Sequence, residues 1–185
     1  MENLKKIFAL LKKAYPDTKT ALQYKTPFQL LIATILSAQT TDTQVNKITG
    51  ALFKKFPGPK EFADAKIQDI EKSISSINFY KTKAANIKKL SKKIVNDFNG
   101  KVPDSMDKLV TLPGVARKTA NVVLSQAFGR NQGIVVDTHV KRVSNRLGLT
   151  KNTNPIKIEE DLMRIIPEKE WGNFSFRLIQ HGRKV

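Results

Sequence analysis

Cysteine is absent from all 185 residues, which excludes a disulfide framework, a thiol nucleophile and any cysteine-held metal among the residues present. Long apolar runs are also missing. The longest, Leu30 to Leu36, is interrupted by Thr34 and falls far short of the ~18 residues of a membrane span. The start, Met1-Glu2-Asn3-Leu4-Lys5-Lys6, does not read as a signal peptide, because Lys12 and Lys13 cut the apolar stretch behind it. No linker rich in Gly, Ser or Pro divides the chain, and no internal repeat appears. Acidic residues are scarce: 16 Asp and Glu stand against 33 Lys and Arg, a formal net charge of +17. The hydrophobic fraction of 40% is that of an ordinary globular protein, so this is not a disordered basic tail. A soluble, cytoplasmic globular protein is the expectation.

A surplus of this size has three readings: a nucleic-acid partner, an anionic membrane surface, or the lysine bias of an AT-rich genome. The basic residues are spread over both halves of the chain, so there is no detachable basic arm. The densest group, Lys81, Lys83, Lys88, Lys89, Lys92 and Lys93, is interleaved with Ile87, Leu90 and Ile94 at helical spacing. Half of the weight there belongs to a solvated helix surface. Charge favours nucleic acid as the partner class, and a membrane role is weakest because no helix sets an aromatic apolar face opposite its lysines.

The apolar spacing predicts helices almost throughout, hence an all-α fold. Leu4, Ile7, Phe8, Leu10 and Leu11 mark an amphipathic helix ending near Tyr15-Pro16. Thr26 before Pro27 is an N-cap with a first-turn proline, and Phe28 to Leu36 is apolar all round, hence central and buried. Thr41 or Asp42 caps a helix running to about Phe56. Shorter helices are expected over 60–65 and 67–76, then a longer one from Thr82 to before Asn99-Gly100. Met106 to Leu112 precedes Pro113-Gly114, and helices over about 116–128, 137–147, 155–166 and 170–181 complete the chain. The β-branched run Gly133-Ile134-Val135-Val136 has no partner run, so a sheet is not expected.

The most informative stretch is Leu112-Pro113-Gly114-Val115-Ala116-Arg117-Lys118-Thr119-Ala120-Asn121-Val122-Val123-Leu124. It reads as a short helix, a sharp reversal and a second helix. Gly114 supplies the positive φ of the reversal. The second helix then opens with unpaired backbone N–H groups at its positive end, which accept phosphate. From the Pro-Gly pair alone an ordinary αα-hairpin is the favoured reading. Lys118 alone would read as a surface phosphate clamp and Asp137 as an N-cap; Gln39 would be a polar helix end and Phe79 a core aromatic. His139 reads as a structural hydrogen-bonding residue and Trp171, the single tryptophan, as a packing anchor.

Taken together, the stretch resembles the helix-hairpin-helix of the endonuclease III family of DNA glycosylases. The resemblance continues in Val136-Asp137-Thr138-His139, in Leu36-Ser37-Ala38-Gln39-Thr40-Thr41-Asp42, in Phe79-Tyr80-Lys81-Thr82-Lys83-Ala84 and in His181-Gly182-Arg183, all in family order. It implies two helical lobes with a DNA cleft between them, one of residues 21–128 and one of residues 1–20 plus 129–185. It also implies a bifunctional DNA glycosylase and abasic-site lyase acting on oxidised pyrimidines, as a monomer on double-stranded DNA with damaged bases or abasic sites. Lys118 would be the nucleophile and Asp137 its partner from the other lobe. Pro113, Gly114, Val115, Ala116 and Arg117 would hold the DNA backbone, Gln39 would fill the space left by an extruded base, and Phe79 would wedge beside it. The alternatives are a monofunctional mismatch or adenine glycosylase, which usually lacks a lysine at the position of Lys118, and a non-catalytic helix-hairpin-helix DNA-binding protein.

In much of that family a cysteine loop holding a 4Fe–4S cluster follows the His-Gly-Arg segment. Here the chain stops at Val185, about where the first cysteine would stand. Either a sequence interrupted before the loop or a member without the cluster is expected. No metal or cofactor is expected in the residues present, and the cluster would need cysteines beyond Val185.

Overall fold

A computed structural model describes residues 2–185, in which eleven α-helices and one 3-10 turn follow each other with no strand among the described residues. The helices are α1 (Glu2–Ala14), α2 (Pro27–Leu36), α3 (Asp42–Lys55), α4 (Pro59–Asp64), α5 (Ile67–Ser73) and α6 (Tyr80–Phe98). They continue with α7 (Met106–Leu109), α8 (Arg117–Ala127), α9 (Thr138–Arg146), α10 (Pro155–Ile165) and α11 (Trp171–Lys184). No helix among the described residues is long and apolar enough to cross a membrane. The chain divides into two compact units, Ala21–Phe128 and Met1–Thr20 with Gly129–Val185.

The unit Ala21–Phe128 is built around α2. Leu30, Leu31, Ile32 and Leu36 are wholly buried, which is why this helix has no polar face. Thr26 starts it: its Oγ1 accepts the Gln29 N–H at 3.2 Å, and Pro27 fills a position whose N–H would be unpaired anyway. Thr41, not Asp42, caps α3, accepting from Gln44 N at 3.2 Å. Phe28, Phe56 and Phe62 close one end of the core, with Phe56 and Phe62 ring centres 4.9 Å apart. The core continues through Ile87, Leu90 and Ile94 of α6 to Ala120, Val123 and Leu124 of α8.

The other unit packs α11 against α1 and α9. Phe8 and Phe174 stack with centroids 4.9 Å apart. Ile134, Val135 and Val136 are buried in a non-helical stretch, and Val135 N–H donates to the Ser175 hydroxyl at 3.0 Å. Their β-branched character thus serves burial without a sheet. Trp171 donates from its indole N–H to the Ile166 carbonyl at 2.8 Å. The 3-10 turn Glu168–Glu170 precedes α11.

Four helices differ from the sequence expectation, and one of them, α11, runs to Lys184 rather than 181. α7 ends at Leu109 rather than Leu112, because Thr111 and Leu112 donate to carbonyls three residues back, those of Lys108 and Leu109, and the chain tightens out of the α-helix. α5 ends at Ser73 rather than 76. α6 starts at Tyr80, before Thr82, because Phe79 turns the chain into it with a left-handed φ of 57°.

Candidate nucleic-acid interface and catalytic residues

Between α7 and α8 the backbone reverses through two short hydrogen bonds, Leu112 N–H to Leu109 O at 3.0 Å and Val115 N–H to Leu112 O at 3.1 Å. Leu112 and Val115 are buried and anchor the turn, leaving Gly114 and Ala116 exposed and Pro113 half-buried between them. Gly114 has φ +79°, and a Cβ there would stand 3.0 Å from Asn86 Cβ on α6. Both conformation and space therefore ask for glycine. Helix α8 opens at Ala116, whose side chain offers no cap to the N–H groups of the first turn. Arg117 and Lys118 occupy that turn and are exposed. No hydrogen bond or ion pair holds the Lys118 amine among the described residues. An exposed amine at a bare, positive helix end is suited to meeting an anionic sugar-phosphate backbone.

Gln39 and Phe79 meet on the same unit. Gln39 follows α2 with a left-handed φ of 55°, and Phe79 precedes α6 with φ 57°. Both are exposed, Phe79 at 62%, so it is not a core aromatic. Asn78 joins the two segments, its amide donating to the Gln39 carbonyl at 2.6 Å. Below them the Lys83 ammonium donates to the carbonyls of Leu36 at 2.8 Å and Ala38 at 2.6 Å. Lys83 is 6% exposed, so it does not belong to the solvated basic surface expected for the 81–93 stretch; burial pushes its pKa below the usual lysine value. Asn78, Lys83 and Asn86 had no functional reading in the sequence. A lysine one turn inside an amphipathic helix carries no local mark of what will cover it.

Asp137 lies on the other unit, at the end of the buried 134–136 stretch. It caps α9, its Oδ1 accepting the Val140 N–H at 2.8 Å. Its Oδ2 has no hydrogen-bond partner among the described residues. His139, in the first turn of α9, pairs its Nδ1 with the Gly182 carbonyl at 3.0 Å, and Arg142 donates to the same oxygen at 2.6 Å. His139 is thus tied to α11, where a Cβ on Gly182 would come within 2.8 Å of His139 Cβ. The His181 ring Nδ1 lies 3.0 Å from the Tyr15 hydroxyl.

An iron–sulfur cluster does not fit the residues present. Thiolates are its donor set, the 185 residues contain none, and no group of three or more His, Cys, Asp or Glu could hold a metal among the described residues.

Residues 32–168 match the HhH-GPD superfamily base excision DNA repair protein model. The chain is 56% identical to Endonuclease III of Synechocystis sp., over 97% of this chain and 82% of that protein. It is 45% identical to Endonuclease III of Bacillus subtilis, over 99% of this chain and 85% of that protein. A solved structure of a trapped Endonuclease III–DNA covalent intermediate superposes with a TM-score of 0.94 at 43% identity, over 99% of this chain and 86% of that chain. A thermostable thymine-DNA glycosylase, at 24% identity, shares the fold with a TM-score of 0.85. With this agreement along nearly its whole length, the chain belongs to the endonuclease III family within the HhH-GPD superfamily of base excision DNA repair proteins.

Proposed function

We propose that this member of the endonuclease III family is a bifunctional enzyme that removes oxidised pyrimidines from double-stranded DNA and cuts the abasic site it creates. Lys118 is the nucleophile, and Asp137 handles protons and charge in the reaction. Gln39 and Phe79 enter the duplex where the damaged base leaves. The turn from Pro113 to Arg117 grips the phosphates.

Chemistry at C1′ of a nucleotide calls for a nucleophile that can become an imine, and a primary amine does so. The Lys118 Nζ, once neutral, forms a bond to C1′ while the bond from C1′ to the base nitrogen breaks. The base departs with that electron pair and takes up a proton. The free carboxylate oxygen of Asp137 stabilises the positive charge that develops on the sugar and accepts the proton that the attacking amine sheds. Opening of the sugar ring leaves a Schiff base between Nζ and C1′. Removal of a C2′ proton then expels the 3′ phosphate by β-elimination, and water hydrolyses the imine to free Lys118. Reaching a paired base requires flipping it out at a cost of about a few kcal/mol in stacking and pairing, which Gln39 and Phe79 offset by filling the gap.

The observation that carries this reading is an exposed Lys118, without a partner among the described residues, in the first turn of an uncapped helix directly behind the Pro113-Gly114 reversal. Borohydride trapping tests it. Wild-type protein mixed with duplex containing an oxidised pyrimidine, then reduced, is expected to give a covalent protein–DNA adduct, and Lys118→Gln none. Equal trapping by both proteins would remove Lys118 from the mechanism.

A further inference from the structure

We propose that Lys83 and Asn78 are positioning residues that lock Gln39 and Phe79 into one wedge, formed before DNA is bound. This rests on the reading that Gln39 and Phe79 enter the duplex. Non-glycine residues with positive φ are uncommon, and here two of the three in the described chain stand on neighbouring segments with their side chains exposed. Neither conformation is held by its own side chain.

The end of α2 leaves carbonyls without helical partners. Water could serve them, but the Lys83 ammonium does so instead, bonding Leu36 O and Ala38 O from beneath. A cation is also suited to the negative end of a helix. Asn78 then fixes the next carbonyl, that of Gln39, and Phe79 follows Asn78 directly in the chain. Gln44 of α3 adds a third tie, donating to the Ser76 hydroxyl at 3.0 Å. Backbone on the Gln39 side of the wedge is therefore held by side chains from the Phe79 side, and the Phe79 side is tied back through the Ser76 side chain. A wedge ordered in advance spares the entropy of ordering it during insertion, so the effect belongs to base extrusion rather than to bond breaking.

The test compares Lys83→Met and Asn78→Ala with wild type on two duplexes, one with an oxidised pyrimidine beside 2-aminopurine and one with a preformed abasic site. Asn78 is exposed, so its variant folds even where loss of the buried amine from Lys83 prevents folding. Single-turnover base excision and the 2-aminopurine signal of unstacking should both fall about tenfold, the scale of one charged or short hydrogen bond lost. Strand cleavage at the preformed abasic site, which has no base to unstack, should fall much less. Wild-type unstacking in Asn78→Ala, or an equal fall on both duplexes, overturns the positioning role. Wild-type excision by a Gln39→Ala/Phe79→Ala double variant would instead overturn the wedge reading on which it rests.

Discussion

At the scale of the residue, single side chains carry two duties at once, and Asp137 is the sharpest instance. One carboxylate oxygen caps α9 while the other has no partner among the described residues. Asparagine is as good an N-cap as aspartate, whereas alanine forfeits about 1 kcal/mol. Asp137→Asn is therefore expected to keep the wild-type melting temperature and Asp137→Ala to lower it. Both should lose turnover by about 10²–10⁴, the usual worth of a proton-transfer group. Thermal unfolding beside single-turnover excision separates the two duties; full activity in Asp137→Asn would leave only the cap. The sequence already showed Asp137 as a cap, because capping is a local matter of one side chain and the N–H groups just after it. Thr26 was legible for the same reason. Lys83 was not, since nothing near it in the chain distinguishes it from Lys81 or Lys89.

At the scale of the element, α6 does more than its amphipathic pattern indicates. Its start carries the wedge, and nearly two turns further on Asn86 lies under the hairpin of Gly114. Lys83 and Asn86, three residues apart, share a side of the helix. Gly114→Ala meets two penalties: about 1–2 kcal/mol for a left-handed backbone, and the approach to Asn86 Cβ at 3.0 Å. The variant is expected to melt lower and to bind duplex more weakly. Adding Asn86→Ala should recover only the part due to Asn86 Nδ2 at 3.1 Å and Cγ at 3.3 Å, since alanine keeps the Cβ, and not the part due to φ. Calorimetry with fluorescence polarisation on labelled duplex checks this, and unchanged binding by Gly114→Ala would take the hairpin out of the DNA interface. The Pro-Gly reversal was visible in the sequence; the helix beneath it was not.

At the scale of the molecule, the surplus of +17 is spread along the chain rather than gathered at one end. Duplex binding should weaken steeply with salt, because each phosphate neutralised releases counterions and adds roughly 0.9 to the slope of log affinity against log salt. Lys118→Gln removes one charge, so its slope should differ from wild type by no more than about one. Titrations across a range of salt measure it, and collapse of binding at low salt in that variant would give Lys118 a larger part in affinity than one contact. The sequence by itself determined the helical class, most helix limits, their caps and the order of the family motifs. Each of these follows from spacing within a turn or two of chain, where backbone hydrogen bonds and apolar faces are set. Only the tertiary structure decided that Lys83 would be buried under α2, that Asn78 would hold Gln39, and that Gly182 would leave no room beside His139. Those contacts join segments far apart in the chain, and an apolar or polar position states which face must be covered without stating by what.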